Sequence, residues 1–125
     1  MYNFPKREHI VSTRLIELLF GSGSVSMAAF PLRAVSCMVE RNQTGVPVQV
    51  LISVPKKRFK HAADRNRVKR QVREAYRYSK QSLVDAIPAD QSLLLCFIWV
   101  GDRLVPSHII ANRIEKLVTR IVEKL

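Results

Sequence analysis

Lys56 to Lys80, KKRFKHAADRNRVKRQVREAYRYSK, decides how the chain is read. Eleven of its 25 residues are Lys or Arg and only Asp64 and Glu74 are acidic, so it holds +9 of the chain's net +11. Residues placed at 100° intervals put Val68, Val72, Ala75, Tyr76, Ser79 and Leu83 along one seam, the mark of a helix docked on a core. Beside that seam lie Asn66, Lys69, Arg70, Arg73, Arg77 and Lys80. The spacing predicts a helix from Ala62 or Ala63 to about Ser82, with Lys56 to His61 as the loop before it. Asp64 near the start and Lys80 near the end suit the helix dipole.

Outward on the N-terminal side, Val46 to Val54 (VPVQVLISV) sets Val48, Val50, Ile52 and Val54 against Gln49, Leu51 and Ser53, the alternation of a strand with one buried face. Phe30 to Glu40 reads as another strand, with Pro31 at its start or on an edge. Arg41 to Gly45 (RNQTG) reads as the turn joining them in an antiparallel hairpin. Further back, Ser12 is placed to cap a short helix, Thr13 to Phe20, which Gly21-Ser-Gly23 stops. Residues 1–11 read as an extended arm. On the C-terminal side Ile87-Pro88 breaks the basic helix, and Ser92 to Val100 (SLLLCFIWV) is a continuous apolar run. Such a run suits a central strand covered on both faces. Ser107 then reads as the cap of a last helix to Leu125, with Ile110, Ile114, Leu117, Val118, Ile121 and Leu125 as its seam. The order is α-β-β-α-β-α in one α+β domain over 1–125.

Composition narrows the partners. The net +11 and pI near 10.4 point to a polyanion. Membrane spanning is not expected, because the longest apolar run, Leu93 to Val100, is eight residues and a spanning helix takes about 20. MYNFPKREHI lacks the apolar core of a secretory signal. Cys37 and Cys96 each sit in an apolar stretch and read as buried free thiols, which fits the cytoplasm.

The chain shows no HExxH, GxSxG, P-loop or CxxC motif. His9, His61 and His108 have no ligand-spaced partners, so no catalytic residue and no metal held by the protein are expected. His61 reads as a solvated loop histidine or a phosphate contact. The binding signal is stronger. A solvated helix face interleaves Glu with Lys, whereas Glu74 is the single acid in the 16 residues after Asp64. Like charges at i,i+4, as in Lys69, Arg73 and Arg77, cost about 0.2–0.5 kcal/mol per pair unless a polyanion offsets them. Nothing supports sequence-selective DNA reading or the common single-strand RNA modules. Phe20, one helical turn from Ile16, can form with Leu32, Val35 and Ser53 a groove for single-stranded nucleotides if the short helix crosses the sheet. Ile16 reads more readily as plain core, and Phe20 reads equally as core or as part of the groove.

Ser53-Val-Pro-Lys-Lys57, Arg65-Asn-Arg-Val-Lys-Arg70 and Arg73-Glu-Ala-Tyr-Arg77 together resemble the signature of the bacterial ribonuclease P protein subunit. Lys6-Arg7-Glu8, the short helix ending at Phe20 and the element order support the resemblance, which covers essentially the whole chain. It implies an α/β sandwich like the second domain of ribosomal protein S5, with room for an extra short strand and a left-handed βαβ crossover into the basic helix. It implies that Lys56, Lys57, Arg65, Asn66, Arg67, Lys69, Arg70, Arg73 and Arg77 bind the catalytic RNA subunit. It also implies that Phe20, Ile16, Leu32, Val35 and Ser53 line a cleft for the 5′ leader of precursor tRNA. Cleavage then belongs to the RNA and its Mg²⁺, and the partners are ribonuclease P RNA and precursor tRNA, with no membrane and no DNA. The chain departs from the family pattern in three places. Ile16 and Val35 stand where many members carry aromatics, the loop after Lys57 (RFKHAAD) is one residue longer and lacks glycine, and Pro55 replaces a serine. The alternative from the residues alone is a ribosomal or RNA-chaperone protein using the same helix.

Overall fold

The computed structural model describes residues 4–10, 12–21, 23–41 and 45–125. Four strands, β1 (Val25–Ala29), β2 (Leu32–Glu40), β3 (Val48–Ser53) and β4 (Gln91–Trp99), form one sheet in the order β1-β2-β4-β3. Three helices, α1 (Thr13–Leu19), α2 (Ala62–Ala86) and α3 (Ser107–Lys124), cover it.

The apolar run of β4 explains the topology. Both faces of this strand are buried from Ser92 to Phe97, so it needs a layer on each side and a neighbour on each edge. Its odd residues Leu93, Leu95, Phe97 and Trp99 pack with α2 and α3 in the main core. Its even residues Leu94 and Cys96 pack with Leu19 of α1 and Ile10 in a second cluster. The sheet is therefore the middle layer, with α2 and α3 on one face and α1 on the other.

The expected hairpin between Phe30–Glu40 and Val46–Val54 does not form. β2 and β3 do run in opposite directions, but β4 lies between them, antiparallel to β2 and parallel to β3. Alternation specifies which side of a strand is buried, not which strand sits beside it. Residues 42–44 of the expected turn lie outside the described residues. Arg41 fastens the end of β2 to the start of β4: its Nε donates to the Gln91 carbonyl at 2.7 Å, and its terminal nitrogens donate to Gly45 and Pro88. On the far side of β4, the Leu93 N–H donates to Pro47 and the Ser92 hydroxyl to Val46. The actual hairpin pairs β2 with the additional strand β1, Ala29 opposite Leu32.

Other boundaries shift for local reasons. α2 runs on to Ala86, a turn past Ser82, because Leu83 still reaches the core and the restriction before Pro88 is felt only at Ile87. Ser12 caps α1 as expected, its hydroxyl accepting from the Leu15 N–H. Ser107 does not cap α3. Pro106 occupies the cap position, and the Ser107 hydroxyl accepts instead from Gln71 Nε2 of α2 at 3.1 Å. Ser22 of the expected glycine stop lies outside the described residues.

Within the expected arm, residues 1–3 and 11 lie outside the described residues. The remainder is docked on the domain rather than simply extended. Lys6–Glu8 form a 3-10 turn, His9 bridges to Val50, and the Ile10 N–H donates to the Val50 carbonyl at 2.9 Å. Phe4 stacks on His9 and meets Tyr76 edge-on. Apolar Phe4 and Ile10, easily passed over among charged neighbours, bind this segment down.

Candidate nucleic-acid interface

The first turns of α2 and the loop before it gather the cations. Val68, Val72, Ala75, Tyr76 and Leu83 are buried, with Ser79 half-buried, so the helical seam holds as expected. Burying that seam forces its neighbours outward. Lys56, Lys57, Asn66, Arg67, Arg70 and Arg73 are exposed and Lys69 is half-buried. Among the described residues none of these seven makes an ion pair or side-chain hydrogen bond. The charge of the six cations among them is available to a ligand.

Two residues assigned to the same row are already engaged. Arg65 turns back and donates to the Phe59 and Lys60 carbonyls at 2.8 and 3.3 Å, closing the loop onto the helix start. Phe59 in turn is buried against Trp99. Arg77 is paired with Glu74 one turn before it and lies over the Tyr78 ring. Glu74 raises its pKa foremost through a hydrogen bond. Lys80 is also neutralised, by Glu8 at 2.7 Å with both side chains only 12% exposed. The uncompensated field therefore lies over the first half of α2 and fades toward its end. Sequence spacing alone spread it over the whole helix.

The opposite face of the sheet holds the groove residues. Strand register sets Arg33, Ile98 and Ser53 side by side across β2, β4 and β3, with Val35, Cys96 and Leu51 in the next row on that face. Leu15 and Ile16 of α1 pack against this cluster, and Phe20 at the helix end is 52% exposed. Ile16, Val35, Ser53 and Phe20 thus share a layer. Leu32 does not: it is 1% exposed and belongs to the core beneath α2 and α3. Its parity on β2 is opposite to that of Val35, so the two cannot line one groove. Arg33, between the two positions named, is exposed on the same face as Val35. Strand parity was the signal that pointed to it. β3 ends here at Ser53 and leads directly to Lys56 and Lys57, so groove and basic helix start from one edge of the sheet.

Burial pushes the Cys96 thiol up to about 12 and also raises that of half-buried Cys37. Among the described residues no three His, Cys, Asp or Glu side chains gather as a metal site. No helix is long and apolar enough to cross a membrane.

Comparison with known proteins gives the family and the fold. Residues 4–121 match the family model described as Ribonuclease P. The ribonuclease P protein component of Porphyromonas gingivalis is 34% identical over 121 residues, covering 96% of this chain and 87% of the relative. That of Chlorobaculum tepidum is 35% identical over 101 residues, 76% of this chain and 66% of the relative. Among solved structures, the RNase P protein of Staphylococcus aureus superposes with a TM-score of 0.69 at 20% identity, over 93% of this chain and 95% of the other. That of Thermotoga maritima gives 0.65 at 21% identity, over 91% and 97%. These two likenesses establish the shared fold.

Proposed function

Because this chain belongs to the ribonuclease P protein family, we propose that it is the protein cofactor of that ribonucleoprotein, promoting 5′ maturation of tRNA. The observation that carries the residue-level reading is the half-helix of cations that, among the described residues, no acid pairs. Arg67, Lys69, Arg70 and Arg73, with Lys56 and Lys57, bind the RNA subunit through its phosphates. Arg supplies paired donors, Lys supplies point charges, and helical spacing lets them follow a backbone. Arg65 acts indirectly, by holding the loop that presents Lys56 and Lys57. The groove of Phe20, Ile16, Val35, Ser53 and Arg33 receives the single-stranded leader of precursor tRNA, Phe20 offering a ring to a base and Arg33 a charge to phosphate.

On this reading cleavage and its Mg²⁺ belong to the RNA subunit. The protein's part is electrostatic and geometric. It screens repulsion between two polyanions and fixes the leader, so less Mg²⁺ is needed for the same rate. The site of action is the cytoplasm. The deciding experiment combines the chain with a bacterial ribonuclease P RNA and precursor tRNA at low Mg²⁺. Stimulated release of the 5′ leader is expected; no stimulation sinks the proposal.

A further inference from the structure

A second aromatic-and-cation surface lies on the opposite side of the sheet from Phe20. Phe30, at the turn between β1 and β2, is 69% exposed. It borders a groove of about 740 Å³ between that turn and α3, along with Arg113, Glu115, Lys116 and Arg120. Large apolar residues exposed on a loose loop need no explanation, but this turn is fastened from three sides. The Arg113 Nε donates to the Phe30 carbonyl at 2.9 Å and Arg120 donates to the Ala28 carbonyl at 2.8 Å. The Val100 N–H donates to the Pro31 carbonyl at 2.8 Å. Gly101 lies beneath, where an added Cβ would come within 2.8 Å of the Pro31 ring.

The two guanidiniums are thus positioned by main-chain acceptors, and neither is neutralised. Among the described residues Arg113, Lys116 and Arg120 have no ion pair, although Glu115 shares the groove. Each Arg keeps further N–H donors for an anion. An exposed aromatic ring on a fastened turn, beside two oriented guanidiniums and Lys116, in a chain of net +11, fits a nucleotide whose base stacks while its phosphates are held.

We propose that the groove between the β1–β2 turn and α3 binds a single-stranded RNA segment, separate from both the α2 face and the groove under α1. Phe30 stacks on a base, and Arg113, Lys116 and Arg120 take the flanking phosphates. The proposal goes beyond the cofactor assignment and does not depend on the leader groove. An acidic peptide is the competing occupant, and it would use the cations without the ring.

The test uses the full chain and a labelled twelve-nucleotide RNA carrying 4-thiouridine. Photo-crosslinks are expected in residues 28–33 and 112–120 as well as in α2. Phe30→Leu with Lys116→Glu should abolish the first set and weaken oligonucleotide binding roughly fivefold or more. Phe30→Tyr should restore the Phe30 crosslink, and both forms should still bind ribonuclease P RNA through α2. Arg67→Ala with Arg70→Ala should do the reverse, losing the RNA subunit while keeping the crosslinks at 28–33. Crosslinks confined to α2 and the α1 face overturn the proposal and leave the cofactor assignment standing. So does a poly-glutamate peptide binding the wild type more tightly than the oligonucleotide does and losing nothing on Phe30→Leu.

Discussion

Arg70 and Arg77 show how two cations of one helix differ once their surroundings are known. Arg70 is exposed and unpaired among the described residues, whereas Arg77 is held by Glu74. Arg70→Ala should weaken binding of ribonuclease P RNA by about 1.5 kcal/mol, the low end for a hydrogen bond to a charged group, and reduce the salt slope by about one. Arg77→Ala should change both far less. Titration of the two variants across a salt series separates them, and equal effects would show that Glu74 yields its partner to RNA. His9 makes a different prediction. Desolvation against Phe4 lowers its pKa, the nearby Arg73 adds to that, and a hydrogen bond to the Phe4 backbone and the charge of Glu8 oppose it. The folded state therefore binds a proton less readily than the unfolded chain, whose His titrates near 6.5. This contribution is fully present above pH 6.5 and lost as pH falls toward the folded value. Tm should decline between pH 7 and 5, and His9→Phe, which retains the stacking on Phe4, should flatten that decline. An unchanged decline would assign it to other groups.

At the scale of elements, the turn after β1 is more constrained than its exposed Phe30 suggests. Gly101 is required there by close approach rather than by backbone angle, since an added methyl would meet the rigid Pro31 ring. Gly101→Ala should destabilise the fold by about 1–3 kcal/mol, the usual cost of overpacking, as read by urea unfolding. No loss would mean that the turn moves aside freely, and its hold on Phe30 would be weaker than drawn. Elements also show where sequence reading stops. The β4 run and the seams of α2 and α3 were legible, except that Leu125 lies exposed past the end of α3, because burial on a known period leaves a mark every two or three to four residues. The place of β4 between β2 and β3 was not legible, because strand pairing is made through backbone groups that every residue carries. Leu32 failed for a simpler reason: its position relative to Val35 already put it on the other face.

Over the whole molecule, the charge distribution sets the binding behaviour. On the proposed reading, the six available cations Lys56, Lys57, Arg67, Lys69, Arg70 and Arg73 displace counterions from an RNA backbone. Affinity for ribonuclease P RNA should fall about 10³-fold between 50 and 200 mM salt, the effect of roughly six phosphate contacts. Filter binding across that range measures it, and a fall of tenfold or less would mean that most of the row stays in solvent. Glu8, reaching Lys80 from the N-terminal segment, confines this field to the first half of α2. A distance of 72 residues along the chain hid that pair from any local reading.

What the sequence by itself determined is the chemistry on offer: a helix crowded with cations, and strands and helices with assigned buried faces. These follow from residue type and local period, which act over a few neighbours. Only the tertiary structure decided which strands are adjacent, which cations are spent on Phe59, Glu74 and Glu8, and which side of the sheet each groove residue faces. Those outcomes depend on groups brought together from distant parts of the chain, where the geometry of the packed layers selects the partner.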